Sequence, residues 1–223
     1  MTSNSNECPI CKGVGWLSQE LAITDPMFGK MYRCSCQAEK DKEQYRLNCG
    51  LTESQRNQPM PVFKNTGGGT RKMIEAGKTF VKDPVGTLFI HGNNGVGKTT
   101  LAYAMVNRLV DLGYQTVYVT GPNMLAYIRD GYSEKVKDES AMRRLDRLQS
   151  VRVLIIDELD KVRPTEWVDE ILSMFFDNRY RRKDELGTVV IANDPVNIRH
   201  DIVSRLMEGT VIKNSDTDYR MVN

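Results

Sequence analysis

The segment Gly92-Asn93-Asn94-Gly95-Val96-Gly97-Lys98-Thr99 joins glycines to a lysine and a hydroxyl, the combination that cradles a phosphate. Glycines let the backbone curl so that its N–H groups converge on an anion. Lys98 can reach β- and γ-phosphates, and the Thr99 hydroxyl can ligate Mg²⁺. Thr100 shares the same turn and belongs with the nucleotide-binding set. A second acidic feature, Asp157-Glu158, closes the apolar run Val153–Ile156. Asp157 there is placed to hold Mg²⁺, and Glu158 to orient or deprotonate an attacking water. Asn193 follows the apolar run Thr188–Ala192, where its amide can bond both the water and the γ-phosphate. The simpler readings are a polar strand exit at 157–158 and an Asn-Asp-Pro turn at 193–195.

These residues need a scaffold that brings three strand ends to one edge. Residues 87–91 read as a strand and 98–112 as an amphipathic helix capped by Gly113. A β-branched strand over 115–120 follows, then a polar helical region over 122–149. Residues 151–157 are near-continuously apolar, as in a parallel strand buried on both faces. A helix over 165–180 puts Trp167, Ile171, Met174 and Phe175 on one stripe, 188–192 is another buried strand, and Val211 and Ile212 lie in the last one. Alternating strands and helices predict an α/β domain with a mostly parallel sheet. It is expected over 71–223, after a linker over 46–70 that contains Pro59 and Pro61 and ends in the flexible Gly67-Gly68-Gly69.

Residues 1–45 carry Cys8-Pro9-Ile10-Cys11 and Cys34-Ser35-Cys36. Two close pairs of thiolates suit tetrahedral Zn²⁺, and a metal would supply the core that so short a module lacks. Free or redox-active cysteines are the alternative, and Cys49 stands apart. Net charge is +2 and 27% of residues are charged, which gives no argument for wholesale coating of DNA. No apolar run approaches the roughly 20 residues of a membrane span. The polar start reads as no signal peptide, so a cytoplasmic protein is expected. The basic runs Arg179–Lys183 and Arg143, Arg144, Arg147 are candidate phosphate contacts or solvated helix ends.

The order of Gly92–Thr99, Asp157-Glu158, Asn193 and Arg205 resembles Walker A, Walker B, sensor 1 and the arginine finger of the AAA+ ATPases. Leu154–Glu158, Asn178-Arg179-Tyr180 and Val189–Asn193 are similar to the bacterial replicative-helicase loaders of the DnaC and DnaI type, to which the transposition ATPase IstB is related. The resemblance covers roughly residues 60 to 223. It implies an AAA+ fold, ATP or ADP with Mg²⁺, and slow hydrolysis used as a switch. It also implies self-association, because Arg205 would act on a neighbour's ATP. Asp218-Tyr219-Arg220 resembles the sensor 2 element, so Arg220 would touch phosphates. In some loaders a small N-terminal zinc module contacts the helicase, which implies the same for the module of Cys8, Cys11, Cys34 and Cys36. The implied function is to load the replicative DNA helicase onto single-stranded DNA. An IstB-like helper on duplex DNA, a small-molecule kinase and an interaction module with a decayed site are the alternatives. The kinase leaves Glu158, Asn193 and Arg205 without a duty, and intact Lys98, Thr99, Asp157 and Glu158 argue against decay.

Overall fold

The computed structural model describes residues 8–18, 23, 25, 28–56, 67–132 and 140–218. At the N-terminus, left-handed backbone at Lys12, Gly13 and Gly15 (φ 52°, 86° and 81°) turns the chain back on itself after Cys8 and Cys11. The Cys34 amide then donates to Gly15 O at 2.9 Å. This closes an antiparallel hairpin of β1 (Trp16–Ser18) and β2 (Met31–Arg33). Helix α1 (Ser35–Asn48) starts at once and carries Cys36 in its first turn. Cys11 and Cys34 are buried here, whereas Ile10, Val14, Trp16, Met31 and Tyr32 are exposed. The four sulfurs, not apolar packing, occupy the centre of this module.

Within the span expected as linker, Cys49 and Leu51 are buried against the main sheet, and a short helix α2 (Glu53–Arg56) follows. Gly67 caps, and Gly68 and Gly69 begin, helix α3 (Gly68–Lys82), so the glycine run is not a free punctuation. A Cβ at Gly67 or Gly69 would sit 2.5 Å from side-chain atoms of Asp216 or Asn214. Glycine serves close approach at this point rather than flexibility.

The sheet is built from β3 (Gly86–Gly92), β4 (Thr116–Thr120), β5 (Val153–Asp157), β6 (Gly187–Ala192) and β7 (Thr210–Asn214). Their order is β4-β5-β6-β3-β7 and all pairings are parallel. Alternate residues serve opposite faces. Leu88, Ile90, Val153, Ile155, Val189 and Ile191 pack with α3 and α4 (Lys98–Asp111). Phe89, Leu154, Ile156 and Val190 pack beneath α5 (Gly121–Asp130), α6 (Ala141–Ser150), α7 (Glu166–Arg181) and α8 (His200–Met207). Both faces are covered, which is why these strands read as apolar runs. The region expected as one polar helical stretch over 122–149 contains two helices, with Thr120 and Ser140 as side-chain N-caps. On α7 the buried stripe is Val168, Ile171, Leu172, Phe175, Phe176 and Arg179; Met174, expected on it, is exposed.

Arg179 corrects a reading based on charge alone. It is 2% exposed and reaches no phosphate-binding surface. Its Nε donates to Thr188 Oγ1 at 2.9 Å, and Nη2 to Gly187 O at 2.6 Å. Nη1 faces the carbonyls of Leu148, Gln149 and Val151 at 3.0–3.2 Å. One guanidinium thus ties the end of α6 and the approach to β5 to the start of β6, and burial pushes its pKa down. Two further members of the basic run are ion-paired: Arg182 with Glu185, and Lys183 with Glu208. Arg179→Met strands these buried carbonyls. It should cost about 3–5 kcal/mol and lower the melting temperature by about 10 °C in a thermal unfolding scan.

Candidate functional site

The phosphate loop is shaped by glycines whose backbone is left-handed or close to it. Gly92, Gly95 and Gly97 have φ of 134°, 70° and 88°. A Cβ at Gly92 would lie 1.9 Å from Asn214 O, so β7 leaves no room for any side chain there. Val96 anchors the loop from the core with no exposure. Gly97 caps α4, whose first amides and dipole favour an anion. Asn93, Asn94 and Gly95 form the rim, and Thr100 lies in the first turn of α4.

The structure brings Lys98 together with Asn193. Lys98 Nζ donates to Gly92 O (2.8 Å), Asn93 O (2.7 Å) and Asn193 Oδ1 (3.0 Å). Burial lowers the Lys98 pKa, while the nearby Asp157 and Asp160 act in the opposite sense. It likewise brings Thr99 to Asp157: Thr99 Oγ1 donates to Asp157 Oδ2 at 2.7 Å. The Glu158 amide holds the other oxygen, Oδ1, at 2.8 Å. Asp157 is 2% exposed, and burial raises its pKa against these donors. A hydroxyl and a carboxylate converging from two elements are hard oxygen donors of the kind Mg²⁺ takes, so these residues fit that ion. Glu158 itself has φ 56°, an uncommon backbone for a residue with a side chain. Its carboxylate pairs with Lys161 Nζ one turn on.

Two contributors carried no motif. Tyr118, on β4, donates its hydroxyl to Asp157 Oδ2 at 3.0 Å; in the sequence it reads as an ordinary strand aromatic. The second is the strap after β7. Asn93 N donates to Asn214 O at 2.9 Å, and Asn93 Nδ2 to Ser215 O and Asp216 O at 3.1 Å. Asp216 in turn accepts from the Gly69 and Thr70 amides at 3.2 and 2.7 Å. The Asp218 carboxylate lies against Gly95. The strap thereby links the loop to the N-terminus of α3.

Arg205 is not brought to this site. It borders a small cavity with Thr87 and Thr188, near the starts of β3 and β6, whereas the loop and Asn193 follow their ends. A strand of about five residues spans about 16 Å. The guanidinium pairs with Asp177 at 2.5 Å and with the Asp201 carbonyl at 2.8 Å. Arg220 lies outside the described residues.

The four N-terminal sulfurs form a separate cluster, all within 4.8 Å of one another. Cys8 and Cys34 are 3.7 Å apart, and Cys11 and Cys36 3.4 Å. A tetrahedral zinc with Zn–S of about 2.3 Å requires sulfurs about 3.8 Å apart, so the set fits that ion. The Cys11 and Ile10 amides pull the Cys8 thiol down to about 6. The Gly15 amide, 3.2 Å from Cys11 Sγ, lowers Cys11. The neighbouring Cys11 pushes Cys36 up to about 12. Backbone donors aimed at sulfur stabilise thiolates, the form a metal takes.

Residues 88–213 match the family model described as the ATPase family associated with various cellular activities (AAA). Among curated proteins, the chain is 29% identical over 130 residues to the chromosomal replication initiator protein DnaA of Campylobacter jejuni, covering 56% of this chain and 28% of that one. It is 25% identical over 115 residues to the replicative helicase loader DnaI of Bacillus subtilis, covering 51% and 35%. The chain thus spans about a third or less of the length of either relative. A crystal structure of DnaI superposes with a TM-score of 0.61 at 19% identity, covering 78% of this chain and 98% of that one; this likeness is one of fold. No helix among the described residues is long and apolar enough to cross a membrane.

The strap gives a pH-dependent expectation. The Thr70 and Gly69 amides hold the Asp216 carboxyl below its ordinary value of 3.8. A depressed carboxylate stabilises the fold above its unfolded pKa, and this is lost as pH falls through the folded value. Asp216→Ala should therefore cost about 1 kcal/mol at neutral pH, as a lost helix cap does. The melting curves of variant and parent should converge as pH falls through that lowered value.

Proposed function

The chain belongs to the AAA family of ATPases, and from that premise we propose that it is an ATP-switched loader that delivers a replicative DNA helicase to single-stranded DNA. The observation that carries the reading is the pairing, in one chain, of a phosphate-loop site with a metal-fitting cysteine cluster joined to it by α1. The similarity to the replicative helicase loader DnaI supports this reading.

At the ATP site, Lys98 and the loop amides bind the triphosphate, and Thr99 with Asp157 would hold Mg²⁺. That ion, when bound, neutralises charge on the β- and γ-phosphate oxygens. Asn193, bonded to Lys98, orients the attacking water, and Glu158 accepts its proton. The Glu158 carboxylate pairs with Lys161 through Oε1. Arg205 reaches a neighbouring subunit's γ-phosphate, and its distance from its own loop is what a residue acting in trans requires. Arg220 adds a phosphate contact. ATP therefore joins subunits, and hydrolysis releases them.

The cysteine module, with zinc on Cys8, Cys11, Cys34 and Cys36, is the helicase contact. Its exposed Ile10, Val14, Trp16 and Met31 supply the apolar surface that a protein partner covers. For single-stranded DNA, Arg129 over the Trp167 ring (4.8 Å), with Tyr132 against the same ring, interleaves cation and aromatic groups.

Two measurements test the reading. Glu158→Gln should keep ATP affinity within about twofold while turnover falls at least about a hundredfold; unchanged hydrolysis would remove Glu158 from this role. The purified chain should carry about one zinc and retain the replicative helicase on a column. Cys8→Ser with Cys11→Ser should lose both together, and helicase retention without the metal would separate the module from the partner.

A further inference from the structure

Tyr118 is a buried phenol that the steps above leave unused. It is 9% exposed, and its ring is fixed edge-on against Tyr103 with centroids 5.0 Å apart. Its hydroxyl donates to Asp157 Oδ2 at 3.0 Å, the same oxygen that accepts from Thr99 at 2.7 Å. The carboxylate is thereby fixed in rotation: two hydroxyls on one oxygen and the Glu158 amide on the other. A buried carboxylate that must keep its charge needs donors of this kind. The phenol is also tied from behind. The Tyr118 amide donates to Cys49 O at 2.8 Å, and a Cβ at Gly50 would lie 2.1 Å from Tyr118 O. Cys49 and Gly50 follow directly on α1, the helix that carries Cys36 at its other end.

We infer that Tyr118 is a positioning residue for the divalent cation: it orients Asp157 toward the ion, and the segment at the end of α1 holds Tyr118 in place. The inference rests on the reading of Asp157 as the Mg²⁺ carboxylate. The phenol touches neither nucleotide nor metal; it acts through Asp157. Without the phenol, Asp157 keeps Thr99 and the Glu158 amide but loses one of its three donors, so the ion loses affinity while the phosphate loop keeps its shape.

The test is metal binding, read without turnover. Mn²⁺ is titrated into the full chain saturated with ADP and its free fraction is followed by electron paramagnetic resonance; ADP affinity in EDTA is measured in parallel. Tyr118→Phe should weaken Mn²⁺ about tenfold, as loss of one hydrogen bond to a charged group does, with ADP affinity in EDTA within about twofold of the parent. Tyr118→Leu, which also removes the ring, should weaken both. Unchanged Mn²⁺ affinity in Tyr118→Phe, beside a clear loss in Asp157→Asn, would overturn the inference and leave the reading of Asp157 intact. No loss in Asp157→Asn would overturn that reading and the inference with it. Equal losses with and without metal in Tyr118→Phe would make Tyr118 a packing residue.

Discussion

The site depends on keeping one carboxylate charged inside the protein. Asp157 ends a strand that is buried along its whole length, where an unpaired charge would cost several kcal/mol. Burial alone would favour its protonated form, which binds a cation poorly. Thr99, Tyr118 and the Glu158 amide offset that cost from α4, β4 and the turn after β5. The sheet order puts β4 beside β5 and α4 above them. The donors therefore arrive through topology, and the carboxylate in turn constrains how these elements meet.

A second constraint separates the two halves of the chemistry. Lys98, Thr99, Asp157 and Asn193 gather where the parallel strands end, and Arg205 lies near where they begin. Parallel strands share one direction, so a single subunit cannot bend one end to the other. If Arg205 completes a site, that site belongs to another copy. Its ion pairs with Asp177 and Asp201 hold this charged side chain in place.

Residues that act through contiguous sequence were legible beforehand. Gly92–Thr99 needs a strand before it and a helix after it, and both patterns are local. Asp157 and Asn193 follow apolar runs, and strand ends are visible in sequence. What escaped depends on approach between distant segments. Gly67–Gly69 reads as flexible because glycine's two uses, freedom and close contact, look identical until Asp216 is seen beside them. Arg179 reads as a surface charge because composition cannot show a ring of carbonyls around a guanidinium. Tyr118 reads as a strand former, since its partner Asp157 lies 39 residues away. Spacing alone puts Met174 beside Ile171 and Phe175 on the stripe of α7, whereas the buried side of that helix turns through Leu172 and Phe176.

The contact between Gly92 and Asn214 also bears on how the protein is made. Asn93 and Ser215, which close the loop from its far side, are 122 residues apart. At ribosomal rates of about 5–20 residues per second, the lysine of the loop emerges roughly ten seconds before the strand that shapes its first glycine. During that interval the nascent chain carries the letters of a nucleotide site without its walls. The loop therefore takes its final shape only when β7 docks on β3.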